Sequence, residues 1–487
     1  MPEHRQGQSN GTVLAIDGAC RRPGIPPGAG TRHGEDLMGL TIVHKSDLAT
    51  RKKNPRVALV LAGGAVTGGA YKLGGLKALD DFLVNRKTTD FDIYVGLSAG
   101  AFLAAPLAGG VTPPEMLRSL DGTSEDFTYL SPLDFYNPNL AEFAQKPLEF
   151  LVDLLTYLPS ALYDFLAQTP ELVRSLQEPL AQARRRPTLA NLIECVKPVI
   201  DAVGAAREFP FPLAYLPSGL FDNASLERYL RHNIDRRGMT NDFRVLYRLR
   251  QVELYIVAMN LDTAERVVFG HDEDTSLTIS EAVQASTALP GFYKPARLKG
   301  VDYVDGGVRR TANIDVAIEH GAELVICYNP FRPFHNRVVR RFVPEKGRYE
   351  IEGRPLASQG MLTVLNQVLR TLLHSRLQLG IQQYQDDPSF QGDIILLEPG
   401  ETDLAFFKMA PLNLWAGRSA GAHGYLSVTQ AIEAHYEMIR QILQTYGVLM
   451  SRKEVREGLE RLLHNEPSEG PEDVLLRDVP KRELRVA

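Results

Sequence analysis

The chain has 487 residues, of which 44% are hydrophobic and 23% charged, with a net charge of −5. That length can bury a substantial core in one large domain with additions, and the balance is that of a globular chain. A slightly acidic total offers no general attraction to nucleic acid. No apolar run reaches the roughly twenty residues of a spanning helix. The three cysteines, Cys20, Cys195 and Cys327, form neither a disulfide framework nor a metal spacing. No metal and no cofactor are expected. The N-terminus lacks the continuous apolar segment of a secretory leader, so the cytoplasm is the expected compartment.

Residues 1–54, rich in Gly, Pro and charge, read as a flexible arm. The first core element is Val57-Ala58-Leu59-Val60-Leu61, a continuous apolar run of the kind found in parallel strands covered on both faces. A Gly-rich turn follows, Gly63-Gly64-Ala65-Val66-Thr67-Gly68-Gly69, and helical spacing resumes from Ala70. A phosphate cradle fits this turn poorly, because the Walker pattern ends in Gly-Lys-Ser/Thr and this one ends in Gly-Gly-Ala-Tyr. The dinucleotide fingerprint cannot be placed in it either.

Phe91, Ile93 and Val95 mark a second buried strand, and Gly96-Leu97-Ser98-Ala99-Gly100 follows at once. Glycines at 96 and 100 relieve the crowding of a sharp strand-to-helix turn. The alanines beyond, from Ala99 to Ala108, suit a helix packed closely on a sheet. Its N-terminal N–H groups would face negative charge forming near Ser98. An exposed hydroxyl on such a turn, with a Gly-rich backbone loop nearby, is what acyl transfer to a serine requires.

Residues 122–215 read as a mostly helical insertion, with Thr169-Pro170 as the cap and first position of a helix. Within it, residues 148–166 are apolar apart from a narrow stripe of Glu149, Asp153, Thr156, Ser160 and Asp164. Pro159 permits a kink. Core packing is the expected fate of this face, with a lid or acyl-binding wall as the alternative. The stripe is acidic, which disfavours anionic membranes. Strands resume at Val252–Ala258 and Leu324–Tyr328. Between them, Val301-Asp302-Tyr303-Val304-Asp305 closes on Gly306-Gly307 and sets the Asp305 carboxylate at a sheet edge. Alternation puts Asp302 on the opposite face, so Asp305 is the candidate base for Ser98. Residues 335–465 are expected to form a helical C-terminal extension and 466–487 a disordered tail.

These motifs together resemble the patatin-like phospholipase family, from about Arg56 to Pro330. They are the Gly-rich loop at 63–69, Gly-x-Ser-x-Gly at 96–100 and Asp-Gly-Gly at 305–307. Softer matches are Gly219-Leu220-Phe221-Asp222 and the stretch from Ala285 to Phe292. The resemblance implies a three-layer α/β/α domain with a mainly parallel sheet. It also implies a Ser98–Asp305 dyad and an oxyanion hole drawn from Gly63, Gly64, Ala65, Thr67, Gly68 and Ala99. The substrate it implies is a phospholipid or other acyl lipid, with peripheral membrane contact. One departure stands out. The family's usual loop reads Gly-Gly-Gly-x-Arg/Lys-Gly, whereas this chain has Ala65 and Thr67. A methyl group at a position of positive φ costs on the order of a kcal/mol.

His423 and His320 follow Asp305 or lie near it in sequence and keep a Ser–acid–His triad open, with His423 in a loop-like Gly-Ala-His-Gly context. The dyad is the favoured reading. The alternatives to a lipid acyl hydrolase are a weakly catalytic lipid-binding scaffold and a soluble esterase or thioesterase.

Overall fold

The structure, a computed structural model, describes residues 39–185, 212–343, 348–410, 413, 417–457 and 475–476, together with 188, 194 and 196. Its frame is a nine-stranded sheet in the order β1-β13-β10-β2-β3-β5-β9-β8, with β6 paired to β5. The strands are β1 (Leu40–Val43), β2 (Val57–Leu61), β3 (Ile93–Leu97), β5 (Glu253–Asn260), β6 (Arg266–Phe269), β8 (Ala296–Leu298), β9 (Val301–Asp305), β10 (Leu324–Tyr328) and β13 (Asp393–Leu397). Short β4 (Gly219–Phe221) and β7 (Gly291–Tyr293) pair with each other, as do β11 (Val339–Val343) and β12 (Arg348–Glu352).

The five central strands, β13-β10-β2-β3-β5, are parallel. Every residue of β2, β3, β10 and β13 is buried. Alternation splits their side chains between two cores. Leu59, Leu61, Tyr94, Ile256 and Ile326 face one layer of helices, and Ala58, Val60, Val95, Val257 and Val325 face the other. The first layer contains α1 (Ala65–Phe82), α2 (Ala99–Ala108), and α5 and α6 (Gly417–Ala434 and Tyr436–Thr445). The second contains α3 (Ile314–Glu319) and the C-terminal half of α4 (Met361–Asp386), through Leu377 and Ile381. This is the expected three-layer α/β/α architecture with a mainly parallel sheet.

Several expectations change. Leu40–Val43, assigned to the flexible arm, is an edge strand running antiparallel to β13; residues 1–38 lie outside the described set. The C-terminal region is not an appended helical extension, because β13 completes the parallel sheet and α5 packs along α1. A Cβ on Gly424 would stand 2.0 Å from the Tyr71 carbonyl oxygen, so glycines there set how closely the two helices approach. His423 therefore sits in a helix rather than a loop. Leu475, in the expected disordered tail, is buried in the first core; the rest of 466–487 is outside the described residues apart from Leu476.

The insertion is dominated by one helix, Leu140–Arg185. Thr169 and Pro170 lie within it, so they start no new helix, and it runs on through Pro159. Core packing is also overturned where side chains are described, since Leu148, Leu151, Val152 and Leu155 are all exposed, Leu155 by 67%. The short 212–215 turn packs on Phe150 and Asp153, and the leucines around them meet solvent. Side chains of 158–173, and Cys20, Cys195 and Arg186, fall outside the described residues.

Candidate active site

Parallel register fixes where the site forms. Leu61 pairs with Gly96 and with Tyr328, and Leu97 with Val257, so the segments leaving β2 and β3 emerge side by side at the carboxyl edge of the sheet. Open α/β sheets place ligands at that edge. Ser98 caps α2 with φ 54° and ψ −129°, a backbone conformation that few residues with side chains adopt. The glycines on either side permit the turn. A Cβ on Gly96 would lie 2.5 Å from Cα of Ala101, and one on Gly100 would lie 2.0 Å from the Leu61 carbonyl oxygen. The Ser98 N–H donates to Oγ of Ser286 at 2.9 Å, and that hydroxyl donates to the Val257 carbonyl at 2.6 Å. Ser286 thereby clamps the elbow to β5.

Asp305 ends β9, two strands from β3, opposite Ala258. Gly306 allows the chain to fold back over β5. A Cβ there would stand 2.8 Å from the Val257 carbonyl oxygen and 2.9 Å from Cδ1 of Leu97. The Asp305 carboxylate is 4% exposed, accepts a hydrogen bond from the Gly307 N–H at 2.9 Å, and lines one cavity together with Ser98. Burial pushes its pKa up to about 6, against the opposing pull of the Ser98 hydroxyl, the Gly307 N–H and the Lys72 ammonium. Ser98 and Asp305, singled out separately in sequence, are brought to the same cavity.

The Gly-rich segment is shorter as a loop than the sequence suggests. Only Ala62, Gly63 and Gly64 are irregular, and α1 begins at Ala65. Ala65 has φ 51°, so its methyl group occupies a left-handed position that glycine would fill without strain. Thr67, where the family has a basic residue, donates its hydroxyl to the Ala410 carbonyl at 2.6 Å and holds the loop against the C-terminal region. The first N–H groups of α1 and α2 have no partners within their own helices. Both helix starts border the space around Ser98.

Two cavities meet there. One runs between α1 and α2 and is lined almost wholly by apolar side chains, among them Leu73, Phe102, Met116, Phe127, Leu226 and Tyr229. The other borders Gly63, Ala65, Ser98 and Asp305 on one side and Asn366, Leu369 and Arg370 of α4 on the other.

Two functional candidates escaped the sequence reading. Lys72 is fully buried on α1, and its ammonium donates to the carbonyl oxygens of Ala62 and of Gly63, the latter at 3.1 Å. Burial pulls its pKa down to about 7. Its only signal was a lysine in a small, apolar helix. Arg370 is buried behind the second cavity and donates to the Pro330 and Arg332 carbonyls at 2.9 and 3.2 Å. A lone arginine in register with Leu373 and Leu377 was the available sign. His423 bonds Asp403 at 2.7 Å and His320 bonds the Val316 carbonyl at 2.8 Å. Neither lines either of these two cavities.

The chain matches the family described as patatin-like phospholipase over residues 59–318, more than half its length. It belongs to the patatin-like phospholipase family, and by that membership is a lipid hydrolase. Among solved structures it is similar to VipD from Legionella pneumophila, with 16% identity and a TM-score of 0.33 over 82% of this chain and 70% of that one. It is also similar to full-length ExoU of Pseudomonas aeruginosa in complex with SpcU, with 18% identity and a TM-score of 0.25 over 90% and 72% of the two chains. Human GIVD cytosolic phospholipase A2 matches at 10% identity and a TM-score of 0.28, over 82% and 61%. No helix among the described residues is long and apolar enough to cross a membrane.

Proposed function

We propose that the protein is a serine acyl hydrolase of phospholipids or related acyl lipids, working through a Ser98–Asp305 dyad. The observation that carries this reading is the strained Ser98 elbow and the buried Asp305 carboxylate brought together on one cavity, at its junction with a second, apolar one. Asp305 takes the hydroxyl proton as Ser98 Oγ attacks the ester carbonyl. Its raised proton affinity makes it a better base than an ordinary carboxylate. The tetrahedral oxyanion is met by backbone N–H groups of the Gly63–Thr67 segment and of Ala99, at the starts of α1 and α2, while the Gly68 N–H is committed to the Gly64 carbonyl at 2.9 Å. Collapse expels the alcohol, which takes up the proton held by Asp305. Water, deprotonated by the same carboxylate, then releases the fatty acid and restores Ser98.

The apolar cavity suits the acyl chain, and the second cavity suits the leaving alcohol. The test is fatty-acid release from a panel of phospholipids and a short soluble ester, wild type against Ser98→Ala. Release from lipid that disappears in the variant supports the reading. Turnover confined to the short ester would assign a soluble esterase, and no turnover with retained lipid binding would assign a scaffold.

A further inference from the structure

The hairpin β11–β12 is built unlike the rest of the surface. Nearly every residue in it is exposed, and a two-stranded hairpin without a covered face is marginal in water. Antiparallel register places Arg340 opposite Ile351 and Phe342 opposite Tyr349, so these four share one face. The Phe342 and Tyr349 rings meet at 5.1 Å, and Phe342, Tyr349 and Ile351 are all exposed. Residues 337–354 hold six basic and three acidic side chains in a chain whose net charge is −5. Arg337, Arg340, Arg341, Arg348 and Arg354 are all exposed.

The segment that leads into the hairpin is tied to α4. Gln367 donates to the Phe334 carbonyl at 2.8 Å and accepts from the Phe334 N–H at 3.0 Å. The N-terminal half of α4 presents Met361, Leu362, Leu365, Val368 and Leu372 to solvent, Leu362 by 79%. Leu369, also exposed, lines the cavity that holds Ser98 and Asp305. The exposed apolar side of α4 thus reaches the mouth of the candidate active site, and the arginine-rich hairpin lies shortly before this helix in the chain.

We propose that the β11–β12 hairpin and the exposed face of α4 form the surface by which the protein docks on an anionic lipid bilayer, with the cavity mouth turned to the lipid. Aromatic and aliphatic side chains enter the headgroup boundary, and the arginines pair with lipid phosphates and carboxylates. The long Leu140–Arg185 helix also exposes leucines, but Glu142, Glu149 and Asp153 accompany them and oppose an anionic surface. Charge therefore selects the hairpin face. The proposal rests on the lipid-hydrolase reading for its purpose, though not for its test.

Binding is measured with full-length Ser98→Ala protein, which needs no turnover, on vesicles of phosphatidylcholine alone and of phosphatidylcholine with phosphatidylserine. The protein is expected to bind the anionic vesicles more tightly, with binding weakened by salt. Arg340→Glu should lower that affinity by about fivefold or more, as a surface cation typically contributes about fivefold. Phe342→Ser with Tyr349→Ser should lower it too, at an unchanged melting temperature. Arg340→Gln provides a milder variant should these unfold. Equal binding to both vesicle types, or no loss in the variants, would overturn the proposal. So would concentration-dependent dimerisation that the hairpin variants abolish in the absence of vesicle binding, which would assign the face to a second copy. Absence of ester hydrolysis by the wild type would defeat the functional reading and leave this result standing.

Discussion

The Lys72 ammonium donates to the Gly63 carbonyl at 3.1 Å from within the first core, gripping the strand-to-helix turn from behind. A buried cation is costly, and here the carbonyls of Ala62 and Gly63 are its hydrogen-bond partners. The same cation favours the ionised form of Asp305.

Lys72→Met therefore has two expected effects. Two carbonyls lose their donor, the loop loosens, and kcat/KM falls by up to about a hundredfold. Asp305 also keeps its proton to higher pH without the ammonium, so the acidic limb of the pH–rate profile moves upward. A variant that loses activity with an unmoved limb would make Lys72 only a structural residue.

Asp305 sets the pH dependence of the wild type. As a base it must be ionised, so kcat/KM should rise with pH through an apparent pKa near 6. Its proton affinity is higher in the folded chain than in the unfolded one. Between about pH 4 and 6 the folded state holds more protons at this site, and its contribution to stability falls as pH rises. Asp305→Asn should remove both the limb and nearly all activity. Its loss should not add to that of Ser98→Ala, because the two act as a unit. His423→Ala and His320→Ala should each keep most activity. Steady-state rates across pH for these four variants and the Ser98→Ala, Asp305→Asn double variant check the activities, and thermal melts across pH check the stability.

Much of the site is legible in the chain because it is local. The strand β2, the elbow at 96–100 and the end of β9 each carry their own apolar run, glycine and functional group within a few residues. The partners that cross the fold are different. Ser286 reaches the Ser98 N–H from another helix, and Thr67 reaches Ala410 from the far end of the chain. No periodicity encodes such contacts. The exposed leucines of 148–155 misled for a related reason: an apolar face states that a partner is needed, not that the core provides it. Likewise Gly421 and Gly424 read as loop residues, whereas they allow α5 to lie against α1.

Ala65→Gly tests the family departure. Removing a methyl group at φ 51° relieves about 1–2 kcal/mol, and glycine returns about 0.5–1 kcal/mol in backbone entropy. A modest net gain in stability with activity retained is expected. Thermal melts and kcat measured together decide it, and a fall in stability would show that the methyl group is accommodated without strain.

Leu155→Asp tests the insertion. An exposed position leaves the new carboxylate solvated, so stability should change by less than about 0.5 kcal/mol. A loss of several kcal/mol by denaturant titration would place this face in contact with an apolar partner.

The most direct test of the dyad is covalent labelling by a fluorophosphonate, with the modified residue located by mass spectrometry. The account predicts one label per chain, on Ser98. It predicts none in Ser98→Ala, and labelling slowed on the order of a thousandfold or more in a folded Asp305→Asn variant. Labelling at another residue, or an unchanged rate in Asp305→Asn, would contradict it.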